Sequence, residues 1–386
     1  MNSRDQFNWS LARAWILQLL VLLGIFFLLT DIASTTLENL DRLGVQSGFD
    51  FLQKRAGFDI NQTLFSYSSD SPVYMAFAIA IANTVLLAVL SIALSTLIGL
   101  LVALCRISGD RFFNALGHMF IETFRNIPAL LQVFFWYFVV LRSLPTSAQS
   151  WQLGEHVFLN NRGLFLPGLS WSVGTNGLIA GLALVSFAVI ALLFRSYHRR
   201  HPGSSSRPVW LKRLAMFFWL LAAAVWFTQA TQWSQPELQK FGYLSDWVIT
   251  PELGALILGL SLYNASSVAE VIRAGFVAIP KAQWEAARSL GLPATAIMRT
   301  VVVPQAMRII IPPMTTVYLN IFKATSLGAA VGYPEIVSVM VGTTNNIVGR
   351  PVEIMFLTFA VYSLVSLLGI WMMGHVNRRY NRFELV

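Results

Sequence analysis

The feature that most constrains this fold is a series of apolar runs, each about as long as a lipid bilayer is thick. A membrane-spanning helix needs roughly 20 predominantly apolar residues, and eight segments of the chain fit that template. They lie near residues 13–30, 76–105, 116–141, 175–194, 214–230, 249–269, 308–327 and 354–375. The sequence therefore predicts an all-α fold, a polytopic membrane helical bundle of about eight transmembrane helices.

The overall composition supports a membrane protein. Apolar residues make up 56% of the 386 residues and charged residues only 12%, whereas roughly a quarter of a soluble domain is charged. Charged residues interrupt the third run and Pro312-Pro313 interrupt the seventh, so the ends of these two helices are the least well defined. No small-residue cleavage site follows Leu29, which predicts an uncleaved first helix.

Basic residues are distributed unevenly along the chain, and this predicts how the chain is threaded through the membrane. The net charge is +9, and with a cytoplasmic N-terminus the inner segments contain 18 of the 27 Lys and Arg residues while the outer loops contain 7. Cytoplasmic loops of membrane proteins carry such an excess, so we predict that both termini are cytoplasmic. The basic excess then reflects topology and contact with membrane lipid, and no nucleic-acid partner is indicated.

Residues 280–304 form a polar island between two apolar runs. Pro280 can begin a helix, Gly291 occupies the position of a left-handed C-terminal cap, and Pro293 prevents continuation. The pattern predicts a helix of about ten residues, a tight turn, and a second segment, Ala294 to Val303, that ends at Pro304. We expect this island to lie at a face of the membrane.

The sequence of this island carries a family resemblance. Glu285-Ala286-Ala287, followed by Gly291, resembles the cytoplasmic EAA loop of binding-protein-dependent ABC importer permeases. Residues 83–104, 124–128, 259–291, 301–313 and 322–335 resemble the polar amino-acid permeases of the histidine/glutamine type. The resemblance implies a type I ABC importer permease core of five helices, in which residues 273–305 form the EAA loop between the third and fourth core helices.

The chain is longer than the shortest members of that family. Its additions look like those of the eight-helix general L-amino-acid permease subunits. The implied organisation is an N-terminal transmembrane helix and periplasmic loop at 1–75, followed by the permease domain at 76–386 with an inserted helix pair at about 175–230.

The resemblance implies a function and a set of partners. The chain would be a permease subunit of an ATP-driven importer for polar L-amino acids in the bacterial inner membrane. It would work with a second permease subunit, two ATPase subunits and a periplasmic amino-acid-binding protein, and a permease heterodimer is favoured over a homodimer. The residues implied to couple to the ATPase are Trp284, Glu285, Ala286, Ala287, Arg288 and Gly291.

Polar residues at membrane depth are the candidates for a substrate path, because they are costly to bury and usually face a bundle interior or a wet cavity. Asn264, Ser267 and Glu270 recur on one side of the sixth helix, with Tyr263 beside them. An alternative is that the Asn and Ser residues only join helices and that Glu270 lies at the cytoplasmic surface. Lys323 is expected near the outer end of the seventh helix and completes the candidate set.

The sequence contains no motif for nucleotide binding or metal binding, and this limits the functions that the chain can have. There is no Gly-rich loop ending in Gly-Lys-Ser/Thr, so ATP and Mg are expected on a partner ATPase, with no cofactor and no enzymatic activity in this chain. The five histidines and the single cysteine, Cys105, do not suggest a metal site. Two other functions remain open: an ion-coupled secondary amino-acid transporter, and a structural subunit without a substrate path.

Overall fold

The computed structural model describes residues 9–42, 48–154, 156–171, 231–239, 242–245 and 247–381. The α-helices in these ranges are α1 (Trp9–Arg42), α2 (Val73–Ile107), α3 (Arg111–Asn126), α4 (Ala129–Phe134), α5 (Pro251–Val277), α6 (Lys281–Ser289), α7 (Ala294–Ile297), α8 (Val303–Ala324), α9 (Asn345–Val348) and α10 (Pro351–Asn381). The predicted helical membrane bundle is confirmed. The predicted helix pair at 175–230 lies outside the described residues.

The described helices include five that are long and apolar enough to cross a membrane. These candidate spans are Trp15–Thr36, Val73–Ile107, Pro251–Val277, Ala294–Val331 and Pro351–Tyr380. A sixth span exists if Arg111–Asn126 and Ala129–Ser143 are counted together as one broken span. The break coincides with Ile127-Pro128, because proline cannot donate a backbone hydrogen bond and restricts the residue before it.

Two compact units make up the chain. The first contains Met1–Asn126 and Leu260–Val386, and the second contains Ile127–Gly259. Within the first unit, the hydrophobic core joins α2 and α5 through close backbone contact. A side chain at Gly99 of α2 would lie 2.5 Å from Cγ1 of Val268 and 3.0 Å from the carbonyl oxygen of Ala265. The absence of a side chain at Gly99 is therefore what allows these two helices to approach so closely.

The segment after the polar island differs from the prediction that Pro304 ends it. Ala294–Ile297 continues through a π-helical turn, Met298–Val302, directly into α8. Pro304 is the second residue of α8 and directly follows this π-helical turn, so the chain continues as helix through it. Pro312 and Pro313 also lie inside α8 without ending it.

The described part of the second unit contains eight short β-strands that the sequence did not predict. They are β1 (Trp151–Gln152), β2 (Phe158–Asn160), β3 (Gly163–Leu166), β4 (Gly168–Trp171), β5 (Thr231–Ser234), β6 (Glu237–Gln239), β7 (Gly242–Leu244) and β8 (Trp247–Ile249). They form a four-stranded sheet of order β1-β2-β3-β8 and two antiparallel hairpins, β4-β5 and β6-β7. The all-α description therefore applies to the membrane-spanning part and not to these connecting segments.

The connection before α2 packs closely on the first unit. Phe51, at 0% exposure, lies in a buried cluster with Ile336 and Met340. Arg350 donates to the carbonyl oxygen of Gly48 (3.3 Å) and pairs with Asp50 (3.4 Å), while the amide of Gly48 donates to Glu353 (2.7 Å). This clamp fixes residues 48–72 against the connection between α8 and α10.

Candidate functional site

The polar island is a short helix followed by a tight turn, as predicted. Helix α6 begins after Pro280 and ends at Ser289, and the turn that follows contains Gly291 with φ +71°. The amide of Leu292 donates to the carbonyl oxygen of Ala287 at 3.4 Å, which is the six-to-one hydrogen bond of a glycine-capped helix end. The predicted left-handed cap at Gly291 is confirmed.

The inner face of α6 is anchored in the core of the first unit. Ala287 is 4% exposed and lies in a buried cluster with Val302 and Ala306. The Trp284 side chain is half-buried and packs against the same cluster. This cluster also includes side chains from α2, α3, α5 and α8, so the inner face of α6 belongs to a core that these helices share.

The outer face of α6 and its turn is open. Glu285, Ala286, Arg288 and Gly291 are all exposed, and Leu290 is 79% exposed. In the part of the chain that the structure describes, no ion pair joins Glu285 to Arg288, although their spacing would allow one. The helix thus presents small, apolar and charged groups to a partner while its inner face is fixed.

The four candidate path residues of α5 lie in different environments. Asn264 is 6% exposed, and its amide donates to the carbonyl oxygen of Leu260 in its own helix (2.7 Å). Ser267 and Tyr263 are half-buried. The guanidinium of Arg273 donates two hydrogen bonds to one carboxylate oxygen of Glu270, from Nε (3.0 Å) and from Nη2 (2.9 Å).

Polar contacts between helices also occur on this side of the first unit. The hydroxyl of Ser261 donates to the carbonyl oxygen of Ser91 (3.3 Å), and the hydroxyls of Thr96 and Tyr318 lie 3.0 Å apart. Both the substrate-path and the helix-joining interpretations of the α5 stripe therefore remain predictions. Lys323 is exposed and is the next-to-last residue of α8, and its location on the outer side of the membrane stays a prediction.

A buried polar network that the sequence did not single out surrounds Asn83 and Thr84, in the first half of α2. The Asn83 amide donates to the carbonyl oxygens of Gln62 (2.9 Å) and Pro334 (3.0 Å). The Tyr333 hydroxyl, on a side chain at 0% exposure, donates to the carbonyl oxygen of Asn83 (3.2 Å). The hydroxyl of Thr84 accepts the amide of Ile336 (3.1 Å). These bonds attach the connection between α8 and α10 to α2.

Glu335 is the charged member of this connection, and it is 0% exposed. Its carboxylate accepts the backbone amides of Val337 (2.9 Å) and Ser338 (2.7 Å), at the start of the π-helical segment Val337–Thr344. The Tyr362 hydroxyl of α10 donates to the same carboxylate at 3.4 Å. Burial raises the pKa of Glu335 to about 7, although its hydrogen bonds oppose that shift.

A signal for this site was present in the sequence. An acid placed directly before an apolar run, as in Tyr333-Pro334-Glu335, can accept the free amides of a helix start. Glu335 was not among the candidate residues predicted from the sequence, so the role of this acid was missed. Among the described residues, no group of three or more His, Cys, Asp or Glu side chains could hold a metal ion.

Comparison with known proteins identifies relatives across most of the chain. The model of the family "Binding-protein-dependent transport system inner membrane component" matches residues 208–382. The putative amino-acid ABC transporter permease protein YhdX of Escherichia coli (strain K12) is 40% identical, over 95% of this chain and 94% of its own length.

Two further relatives extend over similar lengths. The general L-amino acid transport system permease protein AapQ of Rhizobium johnstonii is 38% identical, over 94% of this chain and 90% of its own. The glutamate/glutamine/aspartate/asparagine transport system permease protein BztB of Rhodobacter capsulatus is 30% identical, over 92% of this chain and 90% of its own.

Proposed function

Since this chain belongs to the family of amino-acid ABC transporter permeases, we propose that it carries polar L-amino acids inward as a subunit of an ATP-driven importer. The observation that carries this proposal is the 40% identity to YhdX across 95% of the chain. Two relatives support this substrate class, one from a general L-amino acid transport system and one from a glutamate/glutamine/aspartate/asparagine transport system. The relatives give no support to an ion-coupled secondary transporter.

The proposed importer contains chains besides this one. A second, similar permease subunit, two ATPase subunits that bind ATP and Mg, and a periplasmic amino-acid-binding protein complete it. A permease heterodimer is favoured, because the eight-helix permeases that this chain resembles pair with a second permease chain. In this arrangement both termini lie in the cytoplasm, and α6 is on the cytoplasmic face of the inner membrane.

We assign α6 and its turn to ATPase coupling. Its inner face, with Trp284 and Ala287, fixes the helix to the core, while Glu285 and Leu290 on the open face are available to the ATPase. An exposed leucine gains free energy when a partner covers it, at about 25 cal/mol per Å² of apolar surface. Force applied to α6 would then reach the spans through a packed core, which transmits strain.

The substitution Leu290→Asp tests this assignment. Because Leu290 is 79% exposed, its replacement should leave the permease folded but should detach the ATPase and abolish uptake in proteoliposomes. Ile347→Asp is the matched control, since Ile347 is 53% exposed and lies on the other side of the span Ala294–Val331. Stoichiometric ATPase and normal uptake with Leu290→Asp would remove α6 from the coupling role.

The same preparation tests the function itself. Wild-type chain, purified with its permease partner, should retain an ATPase and show ATP-dependent uptake of polar L-amino acids with binding protein present. Uptake driven by an ion gradient without any ATPase would contradict the proposed function. That result is distinct from failure of the Leu290→Asp prediction, which concerns only the role of α6.

A further inference from the structure

The four-stranded sheet of the second unit has large apolar side chains on both faces. In an antiparallel sheet, directly paired residues share a face and successive residues alternate between faces. Phe158 pairs with Phe165, which places both on one face, and Leu159 pairs with Leu164 on the other. The register therefore divides the sheet unambiguously into two sets of side chains.

One face is covered within the unit. Phe158 is 9% exposed and Phe165 is 6% exposed. The ring of Tyr243, from β7, stacks on Phe158 at 4.3 Å between centroids and contacts Phe165 at 5.6 Å. Asn160, on the same face, is 0% exposed. This face is the small hydrophobic core of the sheet.

The opposite face consists of apolar side chains only. Its six members occupy all four strands and are Trp151, Leu159, Leu164, Leu166, Trp247 and Ile249. Trp151 and Trp247, on the two edge strands, are 59% and 61% exposed. The other four side chains are only half-buried. An antiparallel sheet with one face on a core normally turns polar residues outward, so this face requires an apolar cover.

The place of the sheet in the chain indicates what covers it. Ile249 lies two residues before Pro251, the first residue of the membrane span α5, so the strand ends within about 7 Å of the helix start. Helix α5 has 27 residues and is about 40 Å long, enough to cross the roughly 30 Å hydrocarbon core. Its first turn, and with it the sheet, is therefore at the level of the lipid headgroups.

We propose that this face, defined by its six apolar side chains, lies on the lipid bilayer at the membrane–water interface. Tryptophan is the residue that favours this layer, because its indole has an apolar body and one polar N–H. Both edge strands present one. The six side chains carry no charge that a protein partner could pair with, whereas an interfacial lipid surface takes up uncharged apolar groups of this kind. The sheet anchors the start of α5 at a fixed depth.

Spin labelling of the assembled importer tests the proposal. Single cysteines replace Trp151, Trp247 or Leu166 in a Cys105→Ser background, and each labelled complex is reconstituted into liposomes. Gln152 is the matched control, because it is exposed on the same edge strand but belongs to the opposite face. Collision of the label with lipid-soluble oxygen and with a water-soluble nickel chelate is measured at each position.

The expected result is an oxygen-to-nickel collision ratio several-fold higher at Trp151 and Trp247 than at Gln152. If either edge variant fails to assemble, Leu166→Cys in the central part of the sheet gives the same comparison. Nickel collision at the three positions equal to that at Gln152 would place the face in water and overturn the proposal. Protection from both reagents would overturn it as well, because a protein chain would then be the cover.

Discussion

Replacing the buried Glu335 should change how the stability of this protein depends on pH. Burial raises the pKa of this carboxyl from 4.5 to about 7, so between these values the folded state keeps a proton that the unfolded state has lost. The free energy of unfolding therefore falls as pH rises through this window. Stability from this group is fully present below pH 4.5 and is lost as pH passes 7.

The size of the effect follows from the shift. Each unit of pKa difference corresponds to about 1.36 kcal/mol, and the pKa of Glu335 rises from 4.5 to about 7 on folding. Through this group alone, the free energy of unfolding of the wild type is therefore about 3 kcal/mol lower at high pH than at low pH. Glu335→Gln removes the titration. Below pH 7 the protonated carboxyl still has two oxygens that can accept, whereas the NH2 group of the amide accepts no hydrogen bond. One of the backbone amides of Val337 and Ser338 therefore loses its partner in Glu335→Gln, at a cost of about 1 to 3 kcal/mol.

The assay is thermal unfolding of the purified complex in detergent between pH 4.5 and 8. Glu335→Gln should lower the unfolding temperature at pH 5 and flatten its further decline with pH, relative to wild type. Asp70→Asn is the control, because the Asp70 side chain is 76% exposed and its removal should leave the slope unchanged. Parallel pH profiles for wild type and Glu335→Gln would refute the reasoning.

Three further predictions concern packing, the clamp and the path. Gly99→Ala should lower the unfolding temperature through overpacking that costs roughly 1 to 3 kcal/mol, because the added carbon would lie 2.5 Å from Val268. Gly374→Ala, with nothing within 4 Å, should leave that temperature unchanged or raise it, and equal effects would contradict the packing argument. Arg350→Gln should speed tryptic cleavage after Lys54 several-fold in proteoliposomes by releasing residues 48–72, and an unchanged cleavage rate would show that the clamp does not fix this segment. Asn264→Leu should impair uptake by an assembled complex. If the variant instead had the same maximal uptake rate and half-saturating concentration as wild type, Asn264 would be assigned to helix packing.

The sequence predicted the membrane helices well because a bilayer imposes a length on apolar segments that needs no knowledge of neighbours. The ends were predicted less well. The sixth apolar run was placed near residues 249–269, but α5 continues beyond it to Val277 and includes Glu270 and Arg273. The two side chains pair at 2.9 Å, which partly offsets the charge of each and lets the helix extend beyond the apolar run.

Features that depend on contacts between distant segments could not be read from local pattern. The strands of the second unit have two to four residues each, too few for alternation to be distinguished from an irregular loop. Their pairing is also non-local: β3 pairs with β8, with Leu164 opposite Ile249. Pro304 was misread because the π-helical turn Met298–Val302 before it joins the preceding segment to α8, so the proline lies inside a continuous helical segment.

The structure also changes how the coupling loop is to be understood. The sequence placed Ala286, Ala287 and Gly291 together among the coupling residues, but folding divides them, with Ala287 at 4% exposure in the core and the other two open to solvent. The small residue at 287 permits close seating of α6 on Val302 and Ala306, while the glycine at 291 permits the left-handed turn. A larger side chain at Ala287 would therefore loosen α6 from the core of the permease, whereas a substitution at the exposed Leu290 would change only the contact with the ATPase. The first change alters folding and coupling together, and the second isolates coupling.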